Sequence, residues 1–144
     1  MGLIIQEIIK KISSSFEKEL ENLIKERRDI SEFILATKKT LDEIGVTLVA
    51  EALETIDQVY KNSKDRKRFW TVKEKAAEKT LTTIFGEVRY ERTYYQNKKT
   101  GEYSYLSDEV VGISVHDKLD ASLKAKLIEE AIYMPYSKSG EKAF

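Results

Sequence analysis

The run GEVRYERTYY, Gly86–Tyr95, decides how the rest of the chain is read. Side chains alternate across a strand, so Val88, Tyr90, Arg92 and Tyr94 share one face. Glu87, Arg89, Glu91 and Thr93 share the other. The first face is aromatic around a single arginine, and the second is charged with mixed sign. Two readings fit. One is a half-buried strand whose Arg and Tyr side chains snorkel at its edges. The other is a platform where bases stack on rings and cations meet phosphates. Glu87 and Glu91 dilute the positive field, which tilts the balance to the plain strand.

Beta character extends to both sides. The whole run 69–95 is rich in Thr, Val, Phe and Tyr, and its first part predicts strands near 69–74 and 80–85. QNKKTGE then supplies a turn closed by Gly101, followed by the short strand segment YSYL. Pairing 87–95 with 102–106 gives a small antiparallel β-meander.

Helical periodicity frames this centre. Ile4, Ile5, Ile8, Ile9, Ile12, Phe16, Leu20, Leu23 and Ile24 recur every three or four residues. A second run starts at Phe33 and Ile34 and ends at Val59 and Tyr60, with Asp29 or Ser31 as the cap between the two. These stripes predict a helical hairpin or dimerising bundle that buries its own core. After SDEVVGI, Leu119, Leu123, Leu127 and Ile128 share a helical face, with Asp117 or Asp120 as start signals. Pro135 is expected to stop that helix, and YSKSGEKAF to begin another.

Net charge is zero over 144 residues, yet it is unevenly spread. Residues 1–60 carry 8 basic and 12 acidic side chains, residues 61–99 carry 12 and 5, and residues 100–144 carry 5 and 8. A basic middle with interleaved aromatics lies between acidic ends. Without cysteine, disulfides and thiolate metal sites are excluded, and one histidine, His116, makes a His-based zinc site an equally poor fit. Asp108 and Glu109 are adjacent and point apart in any regular structure, so they form no carboxylate pair. No phosphate-binding glycine loop, nucleophile elbow or HExxH occurs. The residues therefore point to no catalytic centre, no metal and no cofactor. The apolar N-terminus is broken by Gln6, Glu7, Lys10 and Lys11, too early for a spanning helix, and a cytoplasmic location is expected.

The order Thr83, Gly86, Val88, Arg92, Tyr94, Tyr95, followed by Leu106, Asp108, Glu109 and Gly112, resembles the N-terminal region of bacterial insertion-sequence transposases of the ISLre group, also filed as a UPF-type uncharacterised family. In related transposases this hairpin often carries cysteine pairs suggestive of a zinc ribbon; here QNKKTG replaces them, and tyrosines are expected to hold the strands. The resemblance implies an α+β chain with three modules: a helical hairpin over 1–62, an antiparallel β module over 63–113, and the start of a truncated helix-turn-helix over 114–144. The DDE-type catalytic core would lie elsewhere, and no catalytic residue carries over. DNA contact, weak and of low specificity, is expected through Arg66, Lys67, Arg68, Arg89, Arg92, Tyr94, Lys98 and Lys99. A homodimer, or association with full-length transposase, is the expected protein partnership. The rival reading is a helical dimerisation or regulatory module with no direct DNA contact.

Overall fold

The computed structural model describes residues 2–143, with side chains over 3–132. The chain is mixed α and β, with a three-stranded antiparallel sheet in the order β1-β2-β3. It divides into two compact units, Met1–Leu48 and Val49–Phe144, where the sequence predicts three modules.

The first unit contains α1 (Gly2–Lys25) and the beginning of α2 (Ile30–Lys61). SSSF at residues 13–16 has weak helix propensity but stays helical. Lys11 Nζ meets Glu43 Oε2 at 2.8 Å, Ser15 and Thr40 hydroxyls lie 2.8 Å apart, and the Phe16 and Phe33 rings meet edge-on at 6.3 Å. Contacts that rise along α1 and fall along α2 make this pair antiparallel. Between them, Asp29 accepts the Ser31 amide at 3.2 Å, as its capping position predicts.

In the second unit α2 ends at Lys61, and Ser63 caps a short helix α3 (Lys64–Phe69) by accepting the Arg66 amide. That helix escapes the sequence pattern because six residues are too few to show a period. Next come β1 (Trp70–Thr83), β2 (Gly86–Asn97) and β3 (Tyr103–Ser104). The two strands expected over 69–85 are one continuous strand. KEKAAEKT has poor β propensity, yet pairing with β2 holds it extended, and register shifts between Val72, Glu74 and Ala77 absorb the mismatch. A two-residue turn joins β1 to β2, with Gly86 at φ 127° where a side chain would be strained.

Directly paired residues share a face. Ala77, Leu81, Val88, Tyr90 and Arg92 are buried on one side of the sheet, under α4 (Leu106–Val110) and the segment after it. Lys79 closes this face by donating from Nζ to the Val115 carbonyl at 3.3 Å. At Thr93 the burial changes parity, and Thr93 and Tyr95 are fully buried instead. Asp57 of α2 accepts both the Thr93 amide at 2.9 Å and its hydroxyl at 2.8 Å. Glu54 accepts the Glu91 amide at 2.9 Å, so α2 satisfies the part of the β2 edge that β3 is too short to pair.

The last helix, α5 (Ala121–Ala143), starts where Asp120 accepts the Leu123 amide at 3.3 Å. It runs through Pro135. The stop expected there, and with it the helix-turn-helix over residues 114–144, is not formed by the described backbone. Proline withdraws one amide donor, and a helix can absorb that by bending. No helix of the described residues is long and apolar enough to cross a membrane.

Candidate nucleic-acid interface

The basic run on α3 and the turn after β2 come together because Trp70 pairs with Asn97. The Lys98 amide donates to the Phe69 carbonyl at 2.9 Å, and Lys98 Nζ donates to the Lys67 carbonyl at 2.7 Å. Asn97 shapes the turn, its Oδ1 accepting the amides of Lys99 and Thr100 at 2.8 and 3.0 Å. Lys67, Arg68, Lys98 and Lys99 thus gather at one end of the sheet, all exposed. None of the four is paired with a carboxylate among the described residues. Their charge is free to meet an anion. Exposed aromatics stand among them: the Arg68 guanidinium lies 5.3 Å from the centre of the half-exposed Phe69 ring, and Tyr103 is exposed on β3. Lys64 and Lys73, both exposed on the flanking elements, extend the same end and were not singled out from sequence.

The other expected contacts are placed differently. Arg92 is 5% exposed. Its Nε meets Asp108 Oδ2 at 3.0 Å, its Nη1 donates to the Ala77 and Glu78 carbonyls at 2.8 and 2.9 Å, and its guanidinium sits 3.8 Å from the Tyr105 ring centre. Such an arginine is a structural pin, and no phosphate can reach it. Arg66 is half-buried and donates twice to the Lys61 carbonyl at the end of α2, a capping role. Tyr94 is packed between Tyr103, stacked at 5.3 Å, and Tyr105 at 4.5 Å, so tyrosines join β2 to β3. Arg89 is exposed but lies eight strand positions from Asn97, roughly 26 Å along β2. The eight expected residues therefore resolve into one cluster of four, one isolated arginine and three side chains used by the fold.

Among the described residues, Asp57 and Asp108 are the two buried carboxylates. Each is occupied: Asp57 by Thr93 and Ser107, Asp108 by Tyr90 and Arg92. Burial, the Asp108 hydrogen bond and the Asp108 charge raise the Tyr90 hydroxyl far above the ordinary tyrosine value, so it stays a proton donor. Glu109 points away from Asp108 to the Ser104 hydroxyl at 2.6 Å. Among the described residues no group of three or more His, Cys, Asp or Glu side chains could hold a metal ion. The described residues gather unpaired cations at one end of the sheet and show no converging acid–base pair among them.

The profile of an uncharacterised protein family, UPF0236, matches residues 5–144. The chain belongs to UPF0236. One relative, a UPF0236 protein of Caldanaerobacter subterraneus subsp. tengcongensis, is 36% identical over 144 residues, covering 97% of this chain and 31% of the relative. Its name joins eleven numbered designations from that organism. A second UPF0236 protein there is 35% identical over 97% of this chain and 31% of its own length. A third is 37% identical over 122 residues, 85% of this chain and 26% of the relative. This UPF0236 chain thus spans about a third of the length of the curated relatives it matches. No solved structure matches it.

Proposed function

We propose that this chain is the DNA-engaging portion of an insertion-sequence transposase of the ISLre type, holding phosphates through Lys67, Arg68, Lys98 and Lys99, with no strand-transfer chemistry of its own. The observation that carries the DNA contact is the unneutralised cation cluster at the end of the sheet, with Phe69 and Tyr103 exposed beside it. Lysine and arginine on a rigid sheet end release condensed counterions on meeting a duplex, and this favours binding without reading sequence. The transposase assignment draws support from the relative whose one name covers eleven designations in one organism, since self-copying elements multiply in that way. Any strand-transfer centre would belong to the portion of the longer relatives that this chain does not span.

The test is fluorescence anisotropy of the full chain on random and element-end duplexes at low salt. Both duplexes are expected to bind alike. The quadruple variant Lys67→Ala, Arg68→Ala, Lys98→Ala, Lys99→Ala is expected to weaken both at least about tenfold. An unaffected quadruple variant, or no binding at low salt, removes the DNA reading. Metal-dependent nicking by the pure chain, lost in Glu109→Gln, would remove the claim that chemistry lies elsewhere.

A further inference from the structure

The first unit has an apolar face that its own two helices do not cover. On α1, Ser15 meets α2, while Ile5, Ile9, Ile12, Phe16 and Leu20 form an exposed ridge about a quarter-turn away. On α2, Ile34, Leu41 and Leu48 are exposed at seven-residue intervals, the spacing of a helix–helix seam. Both ridges lie on the same side of the helix pair. A groove of about 260 Å³ between them is lined by Ile12 and Phe16 of α1 and by Phe33 and Leu41 of α2. Among the described residues of this unit, Ile44 is the one large apolar side chain below a tenth exposed. A layer of two helices with one apolar face is half of a four-helix bundle.

We infer that this face is covered by a second copy of the same chain, with α1 packed antiparallel against α1 of the partner copy and the two α2 ridges completing a four-helix bundle. Two observations favour a copy over an unrelated occupant. First, the eight ridge side chains, each exposed by 39% to 61%, present an area of roughly 800 Å². That is what one partner contributes to a standard interface, and it exceeds the patch an ordinary monomer leaves bare. Second, the rim is self-complementary. Lys10 and Glu17 are seven residues apart, hence on one flank of the ridge, and an antiparallel crossing between Ser13 and Ser14 sets Lys10 of each copy against Glu17 of the other. The inference stands apart from the DNA reading, because no residue of the cation cluster takes part.

Sedimentation equilibrium of the full chain tests it, between about 1 and 100 µM, and the expected species is a dimer. Ile9 and Leu41 are 61% and 56% exposed, so glutamate at either leaves each protomer folded by circular dichroism. Each is expected to raise the dimer dissociation constant about tenfold or more. Lys10→Glu and Glu17→Lys are each expected to weaken self-association, and an equimolar mixture of the two is expected to restore it as a heterodimer. A chain that is monomeric at 100 µM overturns the inference and hands the face to another occupant, such as the remaining part of a longer relative. A dimer indifferent to Ile9→Glu and Leu41→Glu also overturns it. A mixture that fails to recover overturns the antiparallel pairing.

Discussion

Arg92 is enclosed on three sides, by the Asp108 carboxylate, by the carbonyls of Ala77 and Glu78, and by the Tyr105 ring. Replacing it with leucine leaves Asp108 as a buried carboxylate without a cation, which is expected to cost about 3–5 kcal/mol in urea unfolding. Adding Asp108→Leu is expected to recover part of that loss, because the two side chains act as one unit. Recovery would distinguish a coupled pair from two independent contacts. The buried tyrosines give a second contrast. Tyr90 donates to Asp108 at 2.9 Å, whereas the Tyr95 hydroxyl is buried with no partner among the described residues. Tyr90→Phe should therefore destabilise by about 1–3 kcal/mol, and Tyr95→Phe should be neutral or slightly stabilising. Both hydroxyls have raised pKa values, with desolvation the largest cause. The native state thus keeps its tyrosine protons while the unfolded chain releases them near about pH 10. With fewer protons on the unfolded state, stability is intact below that pH and falls above it. Urea midpoints measured from pH 8 to 11 should show this fall, and Tyr90→Phe should make it shallower.

At the scale of elements, the edge of β2 is finished by a helix instead of a strand. Asp57 accepts the Thr93 amide, the Thr93 hydroxyl and the Ser107 hydroxyl, so it ties α2 to β2 and to α4 at once. Asp57→Ala orphans three donors in a buried position and is expected to cost about 2–5 kcal/mol, while Glu54→Ala, at a more open site, should cost under about 1 kcal/mol. Equal, small effects would mean that α2 is not needed to close that edge. Asp57 was not legible in the sequence, because its partners lie 36 and 50 residues away and a lone acid on a helix looks solvated. Local signals served better. The two long helices and β2 follow from period and alternation, and Asp120 from its capping position. Where local preference and pairing conflicted, pairing won: β1 runs through KEKAAEKT without a break. The sequence presents Arg92 as a contact because alternation gives a side chain's face but not what covers that face. The covering residue, Asp108, sits 16 positions downstream, and its use as a counter-charge depends on the α4 segment folding back.

Across the whole molecule, zero net charge conceals a positive end. The cluster of Lys67, Arg68, Lys98 and Lys99 has Asp65 and Glu102 as its acidic neighbours in sequence, so its field is reduced without being cancelled. On the proposed DNA reading, four phosphate contacts would make the logarithm of the association constant fall against the logarithm of salt concentration with a slope of about −3 to −4. The structure also ranks the substitutions. Lys98→Ala and Lys99→Ala remove two cations from one turn and should make the slope shallower by about 2. Arg89→Ala acts alone on the far part of β2 beside Glu87, so it should change the slope by less than about 1. Arg92→Ala should leave no interpretable slope, because it removes the pin of the sheet before it removes a phosphate contact. A titration in which Arg89→Ala and the Lys98/Lys99 double variant flatten the slope equally would move the interface from the end of the sheet to its open face. It would also restore the stacking platform suggested by GEVRYERTYY, with Arg89 in place of Arg92 as its cation.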